Sequence, residues 1–410
     1  VEYLLADIVL HFTTGDVKKA QELCMKLVQF EKGKSEDRKS VSFIFAAFCS
    51  YARAKAGEAP FYRMAAMFID KITKQQINLD IAKIKFLSLL KSGDEKQYSA
   101  ALEYLNSAEI AKIFEADPIE YARLRIDAER LLGHTQSIGE IAADLLNTIN
   151  PDMLDEWKLA VQYHPDIDKI INQHNNGLYR GPQLARIELA LHKKEDPAPL
   201  ILEYAQKYAQ KPHLLGDLKP YLTPEVLNTL KSVQDPAIQC LINNKFDDSY
   251  VTTPNEATVN MKAQQLIRQN NRQGFLDAVA TLAEYAQNPT SRILLIRLSG
   301  LLNATVAQNK LWSEQHLENI QYLSLLSLYI NELSHSWDLE TLRKMTQLSR
   351  GFYSKGISQF PSYVNAAFNN YNFFAAEMSV QFYQSIQVNI GRYLIDIYDI
   401  WLNILDDPEQ

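Results

Sequence analysis

Four glycines divide the first third of this 410-residue sequence at a nearly constant interval, and that interval limits the folds open to it. Gly15, Gly57, Gly93 and Gly133 are spaced by 42, 36 and 40 residues. Each stands between two apolar-periodic runs, as in "VLHFTTGDVKKAQELCMKLV" and "FLSLLKSGDEKQYSAALEYL". A glycine just past a helix end takes the left-handed conformation without a Cβ penalty, so each break reads as the turn of a helical hairpin. Asp16, Asp94 and Ser137 are the expected N-caps of the partner helices. The flanking runs carry helical faces: Leu4, Leu5, Ile8 and Phe12 before the first break, Ala20, Leu23, Leu27 and Phe30 after it. A two-helix unit cannot bury such a face alone, so successive hairpins are expected to stack. The expected fold class is all-α, with tetratricopeptide-like helical-hairpin repeats stacked into a superhelical solenoid. The period is near the tetratricopeptide length, but the units lack that family's full consensus.

Helix-breaking residues are scarce, with 14 Gly and 15 Pro in the whole chain, and no strand pattern is visible. Residues 1–150 read as the tetratricopeptide-like repeats and 151–244 as an irregular helical middle region. Residues 245–260, polar and carrying Pro254, read as a linker or disordered loop, and 261–410 as a C-terminal helical region. In the middle region His164-Pro165 separates two short helices. Pro182 stands early in a helix expected from Gln183 to about Lys193, a second helix is expected from Pro197 to Ala209, and Thr223 caps a third. Later helices are expected at 274–287, 291–308 and 314–333.

Between Gly351 and Trp401, 13 of 51 residues are aromatic, against 10% for the whole chain. Two readings stay open for that density. The rings fill a core between long helices, or rings such as Phe373, Phe374 and Tyr383 grip a partner from the surface.

Residues that carry chemistry do not cluster. The eight histidines show no metal-ligand spacing. The sequence has no G-x-S-x-G elbow, P-loop or dinucleotide-binding glycine motif. Cys24, Cys49 and Cys240 lack metal spacing and are expected as buried thiols in a reducing compartment. A net charge of −7 argues against a globally basic nucleic-acid binder, and no DNA partner is expected. Local basic groups at 32–39, 71–85 and 193–194 read as solvated helix faces or, if they share one surface, as a ribosomal RNA contact. The most apolar tract, "YLIDIYDIWLNIL", is interrupted by Asp396 and Asp399. No run reaches the roughly 18–20 residues of a membrane span, so no membrane partner is expected and the expected location is cytoplasmic. A helical-repeat chain without a catalytic constellation points to a scaffold that holds other proteins.

The stretch "YRGPQLARIELALHKKEDPAPLILEYAQKYAQKPHLLGDLKPYL" makes that more specific. It resembles the non-catalytic auxiliary subunit of the NatB N-terminal acetyltransferase complex. The likeness runs through Arg180-Gly181-Pro182, Leu184-Ala185, Glu188-Leu189, Asp196-Pro197, Tyr204, Lys211-Pro212 and Asp217-Leu218-Lys219. It is best over about residues 80–230. The resemblance implies a superhelix of tetratricopeptide-like hairpins that wraps and positions a small GNAT-fold catalytic subunit as a heterodimer. It also implies docking near the ribosomal exit tunnel, with acetylation of nascent N-termini beginning Met-Asp, Met-Glu, Met-Asn or Met-Gln.

Acetyl-CoA is then expected on the partner, and no cofactor on this chain. Consistently, the three half-matches to a pyrophosphate-cradling acetyl-CoA turn, "RLLGHT", "QSIGEI" and "RLSGLL", all lack the final small residue and read as helix turns. No catalytic or metal residue is expected. The candidate partner-binding residues are Tyr179, Arg180, Pro182, Arg186, Phe373, Phe374 and Tyr383. An alternative for the 180–182 turn is that Gly181 and Pro182 only shape it while Arg180 caps a neighbouring helix end. Family members exceed 410 residues, so the chain, which begins at Val1, is expected to be part of a longer protein. Alternatives are an auxiliary subunit of a sibling complex such as NatA, a generic helical-repeat scaffold of a large assembly, and an enzyme in its own right.

Overall fold

The computed structural model describes residues 2–208, 214–231, 256–315, 319–335 and 337–406. Among the described residues there are helices, turns and short 3-10 segments and no strand. The chain separates into two compact units, Val1–Gly181 with Ser358–Gln384, and Pro182–Ile357 with Ser385–Gln410.

The first unit begins with α1 (Glu2–Thr13), α2 (Val17–Glu31), α3 (Glu36–Lys55), α4 (Pro60–Ile69), α5 (Leu79–Lys91) and α6 (Glu95–Asn106). It continues with α7 (Ala108–Ile113), α8 (Pro118–Leu132), α9 (Thr135–Thr148), α10 (Leu154–Tyr163) and α11 (Ile167–His174). From α1 to α6 each helix packs on the next, and α6 on α8, α8 on α9 and α9 on α10 continue the stack. The four break glycines have φ of +83°, +115°, +96° and +75°, the left-handed turns their spacing predicts. Two expected caps are in place: an Asp16 side-chain oxygen accepts from Lys19 N at 3.0 Å, and one of Asp94 from Gln97 N at 2.9 Å.

Ser137 is not a cap. His134 N donates to Glu129 O at 2.9 Å as α8 ends, so the chain re-enters a helix at Thr135. The Ser137 hydroxyl instead donates to the buried Glu129 carboxylate at 2.8 Å.

The second unit contains α12 (Gly181–His192, after its first residue), α13 (Ala198–Lys207), α14 (Leu214–Leu218) and α15 (Pro224–Leu230). Beyond them lie α16 (Glu256–Ile267), α17 (Arg272–Ala283), α18 (Pro289–Leu301), α19 (Thr305–Ser313) and α20 (Asn319–His335). The helix expected over 291–308 is two helices, because Asn303 turns the chain at φ +57° between α18 and α19. The expected 245–260 linker lies outside the described residues as far as 255, and 256–260 open α16. Val259, Ala263, Ala278, Leu282, Leu295 and Leu298 make one core of this unit.

Of three further helices, α21 (Leu339–Asn369) and α22 (Phe373–Val388) are divided between the two units, and α23 (Ile390–Asp406) belongs to the second. Residues 358–384 pack with the first unit, and aromatic side chains make that contact. Phe368 and Phe373, each 1% exposed, enter the core that Phe12, Phe45 and Phe48 begin. The Phe373 ring stacks on Phe48 with centroids 4.0 Å apart and planes 12° apart, and Phe368 meets Phe12 at 5.4 Å.

Polar contacts fix this closure. Phe374 N donates to Asp80 Oδ2 at 3.1 Å, Asn78 Nδ2 donates to Tyr371 O at 3.2 Å, and Lys55 pairs with Glu377.

Burial holds the Asp80 carboxyl above its ordinary value of 3.8 despite the bond from Phe374 and the nearby Lys83. The folded state therefore keeps a proton that the unfolded chain has released. Stability from this group falls as the pH rises from 3.8 through the raised value. Asp80→Asn retains an acceptor for Phe374 N, and it is expected to flatten that slope in urea unfolding followed from about pH 4 to about pH 7.

Candidate functional site

The turn at 180–182 is built by close approach. Gly181 N donates to Asp152 Oδ1 at 2.6 Å, and Trp157 Nε1 donates to Pro151 O at 2.7 Å. A Cβ at Gly181 would stand 2.5 Å from Pro151 O and 2.8 Å from Trp157 Nε1, so no other residue fits without displacing the fully buried indole. Pro182 follows in the first turn of α12, where its missing N–H is one of the orphan donors anyway.

The residues that carried the resemblance next form a packed lattice. Leu184, Ala185 and Leu189 are buried. The Tyr204 hydroxyl donates to Asp217 Oδ2 at 2.7 Å, and the Tyr221 hydroxyl donates to Glu188 Oε1 at 2.9 Å. Burial, followed by the Glu188 contact, pushes the Tyr221 hydroxyl well above its ordinary value, so it stays a donor. Tyr221→Phe leaves Glu188 without that donor and is expected to cost about 1–2 kcal/mol in thermal or urea unfolding.

The candidate binding residues fall into different environments. Tyr179 and Arg180 are half-buried. Pro182 is buried, so its ring presents no surface to a partner. Arg186 is half-buried, with Nη1 donating to Glu203 at 2.9 Å and to Gln183 at 3.3 Å, and it ties α12 to α13.

Phe373 is a core ring at 1% exposure and corrects the expectation of a surface grip. Phe374 is half-buried under Lys83, whose Nζ lies 4.9 Å from the ring centroid. Tyr383 stacks on Phe360 at 4.2 Å with planes 13° apart. Of these three rings Phe373 is in the core, while Phe374 and Tyr383 are half-buried against it.

The basic group at 71–85 is largely paired with carboxylates. Lys74 meets Glu109 and Lys85 meets Asp70, both at 2.6 Å, and Lys83 pairs with Glu120. Such a face has little free cationic character to offer a phosphate backbone. Cys24 and Cys49 are buried, and burial raises the Cys24 thiol above its ordinary value. Cys240 lies outside the described residues.

Among the described residues no group of three or more His, Cys, Asp and Glu side chains is placed to hold a metal, and no helix is long and apolar enough to cross a membrane. The three half-matched turns are helix features: Gly133 caps α8, Gly139 lies inside α9 and Gly300 inside α18.

Described residues line two cavities of note among others. One, of about 360 Å³, is lined by residues including Glu140, Asp144, His164 and Lys169. In it His164 Nδ1 accepts from Asp166 N at 3.0 Å. The other, of about 430 Å³, is lined by Ser334, His335, Trp337, Ile397, Tyr398 and Trp401. Sequence reasoning missed this second surface. Its available signal was the three-and-four spacing of isoleucines in the tract ending at 405.

Residues 140–279 match the family model described as the N-acetyltransferase B complex (NatB) non catalytic subunit. Among curated proteins there is no significant match. A chain of the NatB acetyltransferase complex bound to CoA and MES superposes with a TM-score of 0.71 at 15% identity, over 96% of this chain and 54% of that one. A chain of the NatB complex bound to a bisubstrate inhibitor does so with 0.70 at 14% identity, over 96% and 55%. The chain thus spans about half the length of the solved chains it matches, and shares their all-α fold.

Proposed function

We propose, from the premise that residues 140–279 match a family defined as the non-catalytic subunit of NatB, that this chain is the auxiliary scaffold of such an acetyltransferase. The family match carries the reading, and the likeness of fold supports it. In this reading the tetratricopeptide-like hairpins form a superhelix that wraps and positions a GNAT-fold catalytic subunit in a heterodimer. Acetyl-CoA is bound and consumed by that subunit, while this chain contributes neither a catalytic group nor a cofactor site. The heterodimer works in the cytoplasm at the ribosome, acetylating nascent chains that begin Met-Asp, Met-Glu, Met-Asn or Met-Gln.

A scaffold of this kind acts through preorganisation. It holds the enzyme's substrate-binding elements in one arrangement, so less ordering is needed when a nascent chain arrives. Affinity capture of the full-length protein, with mass identification of what accompanies it, tests the assembly. A stoichiometric acetyltransferase of GNAT-domain size is expected. A regular partner set without any acetyltransferase contradicts the proposal and leaves a scaffold of another assembly.

A further inference from the structure

Polar side chains in a protein core ordinarily have hydrogen-bond partners, and two that face each other in the second unit do not. Gln308 on α19 is fully buried, and neither atom of its amide has a partner among the described residues. Glu332 on α20 is 5% exposed, and its Oε2 has no partner there either. They meet at Gly300 of α18. A Cβ on that glycine would lie 3.0 Å from Gln308 Nε2, 3.1 Å from Glu332 Oε2 and 2.8 Å from Glu332 Cβ. The bare glycine thus brings amide and carboxyl to one point. The other oxygen of Glu332, Oε1, lies 4.0 Å from Nε of Arg297, an exposed side chain on α18. The carboxyl stands between a buried amide and a solvated guanidinium.

The cluster lacks a donor. An ionised carboxylate only accepts, so it can take a bond from Gln308 Nε2 but leaves Gln308 Oε1 with none. A protonated carboxyl also donates, and fills that place. Burial favours the neutral form, raising Glu332 above its ordinary value of 4.5 against the pull of His335 and Arg297. Other groups around α20 are engaged elsewhere. Asp396 and Asp399 of α23, which packs on α20, pair with Arg350. Against the cost of burial, bonds from Thr341 and Asn309 hold Asp338 below its ordinary value of 3.8. From α19, Trp312 meets α20 as a neutral ring stacked on Tyr329 at 4.2 Å. We propose that Glu332 and Gln308 form a proton-operated latch: with its proton the carboxyl ties α20 to α19, and without it the carboxylate turns to Arg297 and the tie is lost. The tie is fully present below pH 4.5 and is lost as the pH rises through the raised value.

Hydrogen exchange of the full-length protein, read as protection factors of the α19 amides from about pH 4.5 to about pH 8, tests the latch. Protection should fall at least about tenfold across that range, the worth of one buried hydrogen bond. Glu332→Gln puts an amide donor beside Gln308 Oε1 at every pH, so it should keep the protected level throughout. Gln308→Met removes the acceptor at similar size and should show the low level throughout. The wild-type profile needs no variant: protection of α19 that is constant over the range overturns the proposal. So does a fall that survives in Glu332→Gln, which would belong to His335, or a fall that survives in Gln308→Met.

Discussion

Replacing Phe373 by alanine is expected to destabilise the protein by about 3–5 kcal/mol in urea unfolding. The ring is 1% exposed and fills the space between α3 and the end of α21. It stacks on Phe48 at 4.0 Å and meets Phe368 at 5.8 Å and Phe45 at 6.4 Å edge-on. Alanine removes the transfer energy of the ring and also leaves a cavity that helices held by backbone bonds cannot close. On the same helix, Met378 is 68% exposed, and Met378→Ala is expected to change stability by no more than about 0.5 kcal/mol. Equal effects from the two substitutions would contradict the placement of residues 358–384 in the core of the first unit.

Gly139→Ala is expected to cost about 3 kcal/mol, the upper end for overpacking. A methyl there would lie 2.6 Å from His164 N, 2.7 Å from Tyr163 C and 2.9 Å from His164 Cα. All three are backbone atoms, so no side-chain rotation makes room and α9 must move away from the end of α10. Helix propensity favours alanine over glycine by about 1 kcal/mol, too little to reverse the sign. Gly351 supplies the opposite case. It lies within α21 with nothing within 4 Å of an added Cβ, so Gly351→Ala is expected to stabilise by about 0.5–1 kcal/mol. Differential scanning calorimetry of both variants reads the two signs directly.

What the sequence disclosed depended on range. The break glycines and the Asp16 and Asp94 caps act within a few residues, and the hairpins of the first unit follow from them. Ser137 misled because the competing interaction, a bond from His134 N back to Glu129 O, belongs to the preceding helix end. The closure of residues 358–384 onto α1–α5 joins positions some 290 residues apart, as Asp80 and Phe374 show, and no local pattern encodes such a pairing. Aromatic density marked the region without choosing between core and surface. The structure divides it, with Phe368 and Phe373 in the core and Tyr393 in the open.

At the 180–219 stretch, the residues that made the resemblance visible do mechanical work. Gly181 admits the Trp157 indole, Glu188 ties α12 to the 3-10 turn at Lys219–Tyr221, and the Tyr204 to Asp217 bond ties α13 to α14.

The most direct test is a reconstituted acetylation assay. The full-length protein, any acetyltransferase found to co-purify with it, and both together would each be given acetyl-CoA and peptides beginning Met-Asp or Ser-Ala. Turnover of Met-Asp alone, weak with the enzyme by itself, restored by this chain and absent with the chain by itself, is the expected result. Acetylation by the chain without a partner, or a complex whose rate and peptide preference do not change when the chain is added, would contradict the scaffold role.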